Sequence, residues 1–214
     1  MSAGSRTVRV YDLGTTRYGD VHRLQQGLQA QRRAGGGEDT LLLTEHRPVF
    51  TLGRSHPEPS LRVARELVER QGIDIVQTER GGDITYHGPG QLVAYGIIDL
   101  KAWDLGVIDY VDGLEETVIK VVWVGERKIA SVGINVRRYV TMHGVALNVS
   151  PNMEHIALMN PCGMPEAEMT ALSAEVGKPI AMGEVTESFI YPFGHVFDCQ
   201  TEIAGLPTRA ASSR

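Results

Sequence analysis

Residues 80–91 read RGGDITYHGPGQ, and so glycine-rich a stretch cannot sustain a helix or a long strand by itself. It runs directly into LVAYGIIDL at 92–100, an apolar, β-branched run with the pattern of a buried strand. A loop of this kind, anchored at the edge of a sheet, can bring its backbone close to a ligand because glycine carries no Cβ. Its polar members, Arg80, Thr85, Tyr86, His87 and Gln91, then face either a binding cavity or solvent. A surface turn with incidental polar residues is the competing reading, and composition alone leaves both open.

With 214 residues, 42% of them apolar, the chain can bury a substantial core, and no internal stretch has the length of a linker. The expectation is one domain over residues 1–204, followed by a flexible tail at 205–214. A formal charge of −5 argues against general nucleic-acid binding, which favours basic surfaces. No apolar run approaches the ~20 residues that a membrane span needs. The opening MSAGSRTVRV passes straight into a strand pattern with no signal-like apolar region, so a cytoplasmic protein is expected. Cys162 and Cys199 form no CxxC pair, which leaves reduced thiols rather than a disulfide framework or a zinc site. The seven histidines show neither HExxH nor close pairing in sequence, so no metal is expected.

Along the chain, VRVYDL reads as a strand, followed by a helix with Val21, Leu24 and Leu28 on one face that ends at the glycines 35–37. LLLTEH and VFTLG read as short strands separated by Pro48, and Ser60 as the N-cap of a helix over LRVARELVERQG. IDIVQT is a further strand. VIDYVDGLEETVIK has Val107, Val111, Leu114 and Val118 at helical spacing, then passes into the strand pattern of VVWV with no residue that ends a helix. VGERK makes a turn into KIASVGINV, and VALNV alternates as a strand. Helices and strands mix without a regular βαβ repeat, which predicts an α+β fold with a mixed, largely antiparallel sheet flanked by helices.

The 80–91 stretch resembles the signature of the octanoyltransferases of lipoate biosynthesis, the lipoate-protein ligase B family, which is similar in fold to lipoate and biotin protein ligases. TEHRPVFTLGRS at 44–55, RKIASVGINVRR at 127–138, MHGVALNVS at 142–150 and NPCGM at 160–164 resemble the family's other blocks in the same order. The resemblance covers about residues 10–175. That family usually carries additional residues near 119–124, which this chain lacks.

The resemblance implies an enzyme that takes an octanoyl or lipoyl group from acyl carrier protein and gives it to a lysine of a lipoyl domain, without cofactor. The acceptors implied are lipoyl domains of 2-oxoacid dehydrogenase complexes and the glycine cleavage H protein. By the same resemblance the catalytic pair is Cys162 and Lys128. Pro161 and Gly163 would leave the sulfur uncovered before a helix expected near Glu166, and Lys128 follows a turn at the start of a strand. A thiol of ordinary pKa, ~8.5, is only a few per cent thiolate at neutral pH, so acyl transfer through sulfur needs such a partner.

The family's substrate-binding stretches correspond to Arg80, Gly81, Gly82, Asp83, Ile84, Thr85, Tyr86 and His87, to Ser131, Val132 and Gly133, and to Gly144, Val145 and Ala146. The amides of the last two groups are candidates to stabilise an oxyanion. For His87 and His143, a structural hydrogen bond and substrate contact are equal alternatives. Arg54, Arg137 and Arg138 are candidates to meet an acidic carrier protein. Two other readings remain: an ATP-dependent lipoate or biotin protein ligase, which would not need Cys162, and an acyl- or carrier-binding module without catalysis.

Overall fold

Leu41, Leu42 and Leu43 are wholly buried in succession, as happens only when both faces of a strand are covered. Their strand lies inside a sheet with helices on each side, in a computed structural model that describes residues 6–55, 60–118, 123–160 and 168–205. The first half of the chain runs β1 (Thr7–Thr16), α1 (Tyr18–Arg33), β2 (Asp39–His46), β3 (Val49–Leu52), α2 (Arg65–Arg70), β4 (Asp74–Gln77), β5 (Ile84–His87) and β6 (Gln91–Ile97). The second half runs α3 (Val107–Thr117), β7 (Trp123–Val124), β8 (Arg127–Lys128), β9 (Ala130–Arg137), β10 (Val140–Asn148) and α4 (Met153–Ile156). It closes with β11 (Glu168–Met169), α5 (Leu172–Val176), α6 (Met182–Val196) and β12 (Gln200–Ile203).

The main sheet has the order β12-β1-β2-β6-β10-β9. β12, β1 and β2 run parallel, while β2, β6, β10 and β9 are successively antiparallel, so the sheet is mixed as expected. Period-two alternation sorts its side chains. Leu41, Leu43, Leu92 and Ala94 pack with Tyr110, Leu114, Phe189, Phe193 and Phe197 of α3, α6 and the residue after α6. Leu42, Val93 and Tyr95 turn to the opposite face, against Tyr18 and Val21 of α1. A smaller sheet, β4-β3-β5, has its own core in which Phe50, Ile84 and Tyr86 meet Val68 of α2 and Ile156 of α4. The third, β11-β8-β7, holds Lys128 between Met169 and Trp123. Among the described residues no helix is long and apolar enough to cross a membrane.

Several local expectations are corrected. Ser60 does not cap α2, which starts at Arg65 behind Ala64; its hydroxyl donates instead to Asp83. The face of α1 that docks on the sheet is largely polar. Gln25 and Gln29 are buried while Leu24 and Leu28 sit half-buried at its flank, because Gln25 accepts from the His143 amide and Gln29 donates to the Val140 carbonyl. In α3 the buried face is Tyr110, Gly113, Leu114 and Thr117, and Val107 is exposed. Gly113 lies there because a Cβ would meet the Phe197 ring. The junction around 119–122 and the helix expected near Glu166 lie outside the described residues, and the first described helix beyond them is α5.

Asp39 closes the far end of the sheet. Its carboxylate accepts from Arg32 Nε at 2.8 Å, the Asp99 amide at 2.9 Å and Trp103 Nε1 at 2.7 Å, all within reach of a group only 7% exposed. Asp39→Ala strands a buried indole N–H and a guanidinium together, and should cost about 3 kcal/mol in urea unfolding. A loss below about 1 kcal/mol would mean that the cluster is dispensable.

Candidate active site

The signature loop is built around a guanidinium. Arg80, 7% exposed, donates from Nη2 to the carbonyls of Thr51 and Asp83, from Nη1 to Gly81 and from Nε to the Thr51 hydroxyl. Those bonds fold residues 80–83 back over the end of β3, where the Gly53 amide donates to Asp83 O at 2.7 Å and the Ser55 amide to Gly82 O at 3.1 Å. Gly82 takes φ +81°, a left-handed conformation that glycine adopts without penalty. On the other side the Gly81 amide donates to Ile134 O, which ties the loop to β9.

Strand alternation then divides the loop. Thr85 and His87 face a cavity, whereas Ile84 and Tyr86 enter the core of the small sheet and Asp83 accepts from Ser60. The cavity is closed by Arg80, Gly81 and Gly82, by Ser131, Val132 and Gly133 of β9, and by Gly144, Val145 and Ala146 of β10. All three stretches singled out in the sequence thus meet at one place. Gly144 is required by close approach, since a Cβ there would strike the Ala94 carbonyl of β6. β10 lies between β6 and β9, so the amides of Gly144, Val145 and Ala146 are taken up by the ladder. β9 is the sheet's edge, and the N–H groups that can face the cavity belong to the Ser131–Gly133 stretch.

Four residues that sequence reasoning passed over complete the walls or their support: Tyr18, His46, Val93 and Tyr95. Tyr18 stacks on His87 with ring centroids 6.1 Å apart, and Tyr95 Oη lies 2.8 Å from His46 Nε2. His46 Nδ1 is 3.0 Å from the Thr16 hydroxyl. His87 makes a 2.7 Å hydrogen bond to Gln91, the structural role, and its ring also lines the cavity. Burial, aided by the neighbouring His87, drives His46 down to about 3; burial and the charge of Arg80 drive His87 to about 4, against the pull of Gln91. Burial raises the Tyr18 and Tyr95 phenols. At neutral pH the cavity therefore offers neutral imidazoles, protonated phenols and one fixed cation.

Lys128 stands outside this lining. It is 6% exposed, its Nζ lies 5.7 Å from the Trp123 ring centroid, and its carbonyl accepts from the Thr170 amide. Cys162 lies outside the described residues, but the chain is fixed on both sides of it. The Asn160 amide donates to Ser60 O beside the signature loop, and Met169 pairs with Lys128. Side-chain bonds tie the signature loop to the second of these ends, running from His87 through Gln91 and Asn148 to the Thr170 carbonyl. The second cysteine, Cys199, is half-buried, and burial pushes its thiol to about 11, which keeps it protonated.

A second, apolar cavity of about 450 Å³ lies under α6 among Val118, Ile129, Leu147, Val185 and Phe189. None of the signature residues reaches it.

The lipoyl protein ligase A/B catalytic domain profile matches residues 17–194. A protein named Octanoyltransferase from Syntrophobacter fumaroxidans is 40% identical over 94% of this chain and 96% of its own length. Another of that name from Solibacter usitatus is 41% identical over 87% of this chain and 91% of its own. The chain belongs to this family. It is an acyltransferase of the octanoyltransferase branch. Solved lipoate ligases share the fold at much lower identity. Lipoate-protein ligase A bound with ATP matches with TM-score 0.67 and 14% identity, covering 95% of this chain and 90% of that one. The bi-partite lipoate protein ligase of Thermoplasma acidophilum matches with TM-score 0.66 and 13% identity over 94% and 88%.

The neutral imidazoles around the cavity give the protein's stability a pH dependence of fixed sign. In the unfolded chain His46 and His87 protonate near ~6.5, and in the folded one only near 3 and 4. Between those values the unfolded state binds more protons, so stability is full above ~6.5 and falls as the pH drops below it. Each ring contributes a slope of up to about 1.4 kcal/mol per pH unit, readable in urea unfolding at a series of pH values. The His87→Asn variant should show a flatter profile. An unchanged slope would mean that His87 is not held neutral.

Proposed function

We propose that this enzyme moves an octanoyl (or lipoyl) group from acyl carrier protein to a specific lysine of a lipoyl domain through a thioester on Cys162. The observation that carries this reading is the double tether around Cys162, one end beside the signature loop at Ser60 and the other paired with Lys128. Likeness to proteins named Octanoyltransferase over nearly the whole chain supports the acyl group. The acceptors in this reading are lipoyl domains of 2-oxoacid dehydrogenase complexes and the glycine cleavage H protein, and the setting is the cytoplasm.

In the first half-reaction the Cys162 thiolate attacks the carrier's thioester carbonyl, and the tetrahedral oxyanion draws on β9 amides near Ser131–Gly133 and on the field of Arg80. Collapse expels the carrier thiolate, which takes a proton from Lys128. In the second, the acceptor amine attacks the acyl-enzyme, Cys162 leaves as thiolate, and the proton lost by the amine returns to Lys128. Only the amine's neutral form has the lone pair for that attack. Val93, Val132 and Val145 give the cavity apolar wall surface against which an acyl chain can lie.

Arg54 and Arg137 share a groove with Arg33 and Glu79, while Arg138 sits exposed in the β9–β10 turn and does not line it. An acidic carrier protein meets positive charge along this groove in our reading. Charge reversal at Arg54 and Arg137 together should weaken carrier binding roughly tenfold at low salt with little effect on the acceptor half-reaction. Unchanged carrier affinity would remove the groove from the reading.

The decisive chemistry is visible by mass. Incubated with octanoyl carrier protein and no nucleotide, the enzyme should gain one octanoyl adduct under denaturing conditions, released by hydroxylamine. Cys162→Ala should gain none, and Lys128→Met should acylate at least about a hundredfold more slowly. An enzyme that takes up octanoate only with ATP would instead be a ligase.

A further inference from the structure

His22, Glu79 and His143 take no part in the acyl chemistry above, yet the fold brings them together from α1, from the residue preceding Arg80 and from β10. Their ligand atoms all lie within 4.8 Å of one another, and among the described residues no other trio of histidine, cysteine or acidic side chains converges so closely. Glu79 Oε2 is 2.9 Å from His22 Nε2 and 4.0 Å from His143 Nε2. The two imidazole rings stack with centroids 5.7 Å apart, so both nitrogens point to the same carboxylate oxygen. Gln26 holds the other oxygen at 3.4 Å.

His143 is the informative member. It is 2% exposed, it adopts φ +65° within a strand, and its Nε2 is buried without a hydrogen-bond partner. A buried nitrogen in that state is costly whichever tautomer is present: protonated, it stands too far from Glu79 to donate; unprotonated, it aims a lone pair at a carboxylate. A cation between them removes the conflict. Zinc binds imidazole nitrogen at about 2.0–2.1 Å and carboxylate oxygen at about 2.0–2.2 Å, which at a tetrahedral angle sets two ligand atoms about 3.4 Å apart, so the 4.0 Å gap between His143 and Glu79 has only a fraction of an ångström to close. His22 needs only a small withdrawal from its 2.9 Å contact. Its Nε2 proton, now shared with Glu79, moves to Nδ1 or to solvent.

We propose that His22, Glu79 and His143 form a binding site for a late first-row divalent cation, with Zn²⁺ the best fit to two imidazoles and a carboxylate. Nitrogen donors select against Mg²⁺ and Ca²⁺, and three protein ligands leave a position for water. The trio forms a wall between two spaces, since Glu79 lines the arginine groove and His143 lines the acyl cavity. The ion enters from the groove, which Glu79 lines with a side chain 22% exposed; the neighbouring His22 side chain is 15% exposed. The field of Arg80 opposes a cation, and the Glu79 carboxylate offsets it. The inference does not depend on which acyl group the enzyme carries.

The test uses full-length enzyme treated with chelator, desalted, and titrated with ZnCl₂ by calorimetry and with Co²⁺ by visible absorption. One equivalent of Zn²⁺ should bind, and Co²⁺ should gain the intense visible bands of a tetrahedral nitrogen–oxygen site. His22→Leu, whose leucine suits the helix, should lose the bands and bind Zn²⁺ roughly a hundredfold more weakly; Glu79→Gln, which keeps the shape of the side chain, should weaken it roughly tenfold or more. His195→Leu, which alters an exposed histidine elsewhere, should match the wild type. Wild-type binding no tighter than that of His22→Leu would overturn the site, as would a Co²⁺ spectrum that both trio variants retain.

Discussion

The site depends on one buried guanidinium. Taking the charge of Arg80 out of water is expensive, and the carbonyls of Thr51, Gly81 and Asp83 offset that cost by pointing their dipoles at it. Those carbonyls can converge only if residues 80–83 fold back over the end of β3, which requires the positive φ of Gly82. The cavity follows from that fold-back: the turned loop closes it from above, while β9 and β10 form its floor. Its electrostatics follow from the same enclosure: burial keeps His46, His87 and His143 neutral, and the charge of Arg80 adds to that effect at His87 and His143.

What the sequence disclosed and what it hid have separate physical reasons. The convergence of 80–87, 131–133 and 144–146 is what the resemblance to the octanoyltransferase blocks implied, and the structure supplies a physical reason for one of their glycines, since a Cβ at Gly144 would strike the Ala94 carbonyl. The division within the loop was not read, although it obeys strand periodicity: Thr85 and His87 face the cavity because Ile84 and Tyr86 face the core. Tyr18, His46 and Tyr95 lie on three elements with no spacing to connect them, and only the sheet order brings them together. The same is true of His22, Glu79 and His143, which come from α1, from the loop before Arg80 and from β10. Gln25 and Gln29 misled for another reason. A helix that docks by hydrogen-bonding a strand's irregular backbone needs buried polar groups, and an apolar-stripe argument assigns those to solvent.

The loop also communicates with the segment that carries Cys162. The bonds from His87 through Gln91 and Asn148 to Thr170 tie the cavity wall to β11, and β11 is paired with Lys128. The signature loop that Arg80 organises and the strand that carries Lys128 are thus held by one hydrogen-bonded framework. Buried, fully paired polar chains of this kind fix a single geometry, because breaking one link leaves the next group unsatisfied.

Hydrogen exchange of Arg80→Met, read amide by amide, tests the clamp most directly. The account predicts that the amides of Gly53, Ser55 and Gly81, which the folded-back loop protects, exchange much faster in the variant while β1 and β2 keep their protection. Unchanged protection at those three amides would contradict it, because the loop would then hold its shape without the charge at its centre.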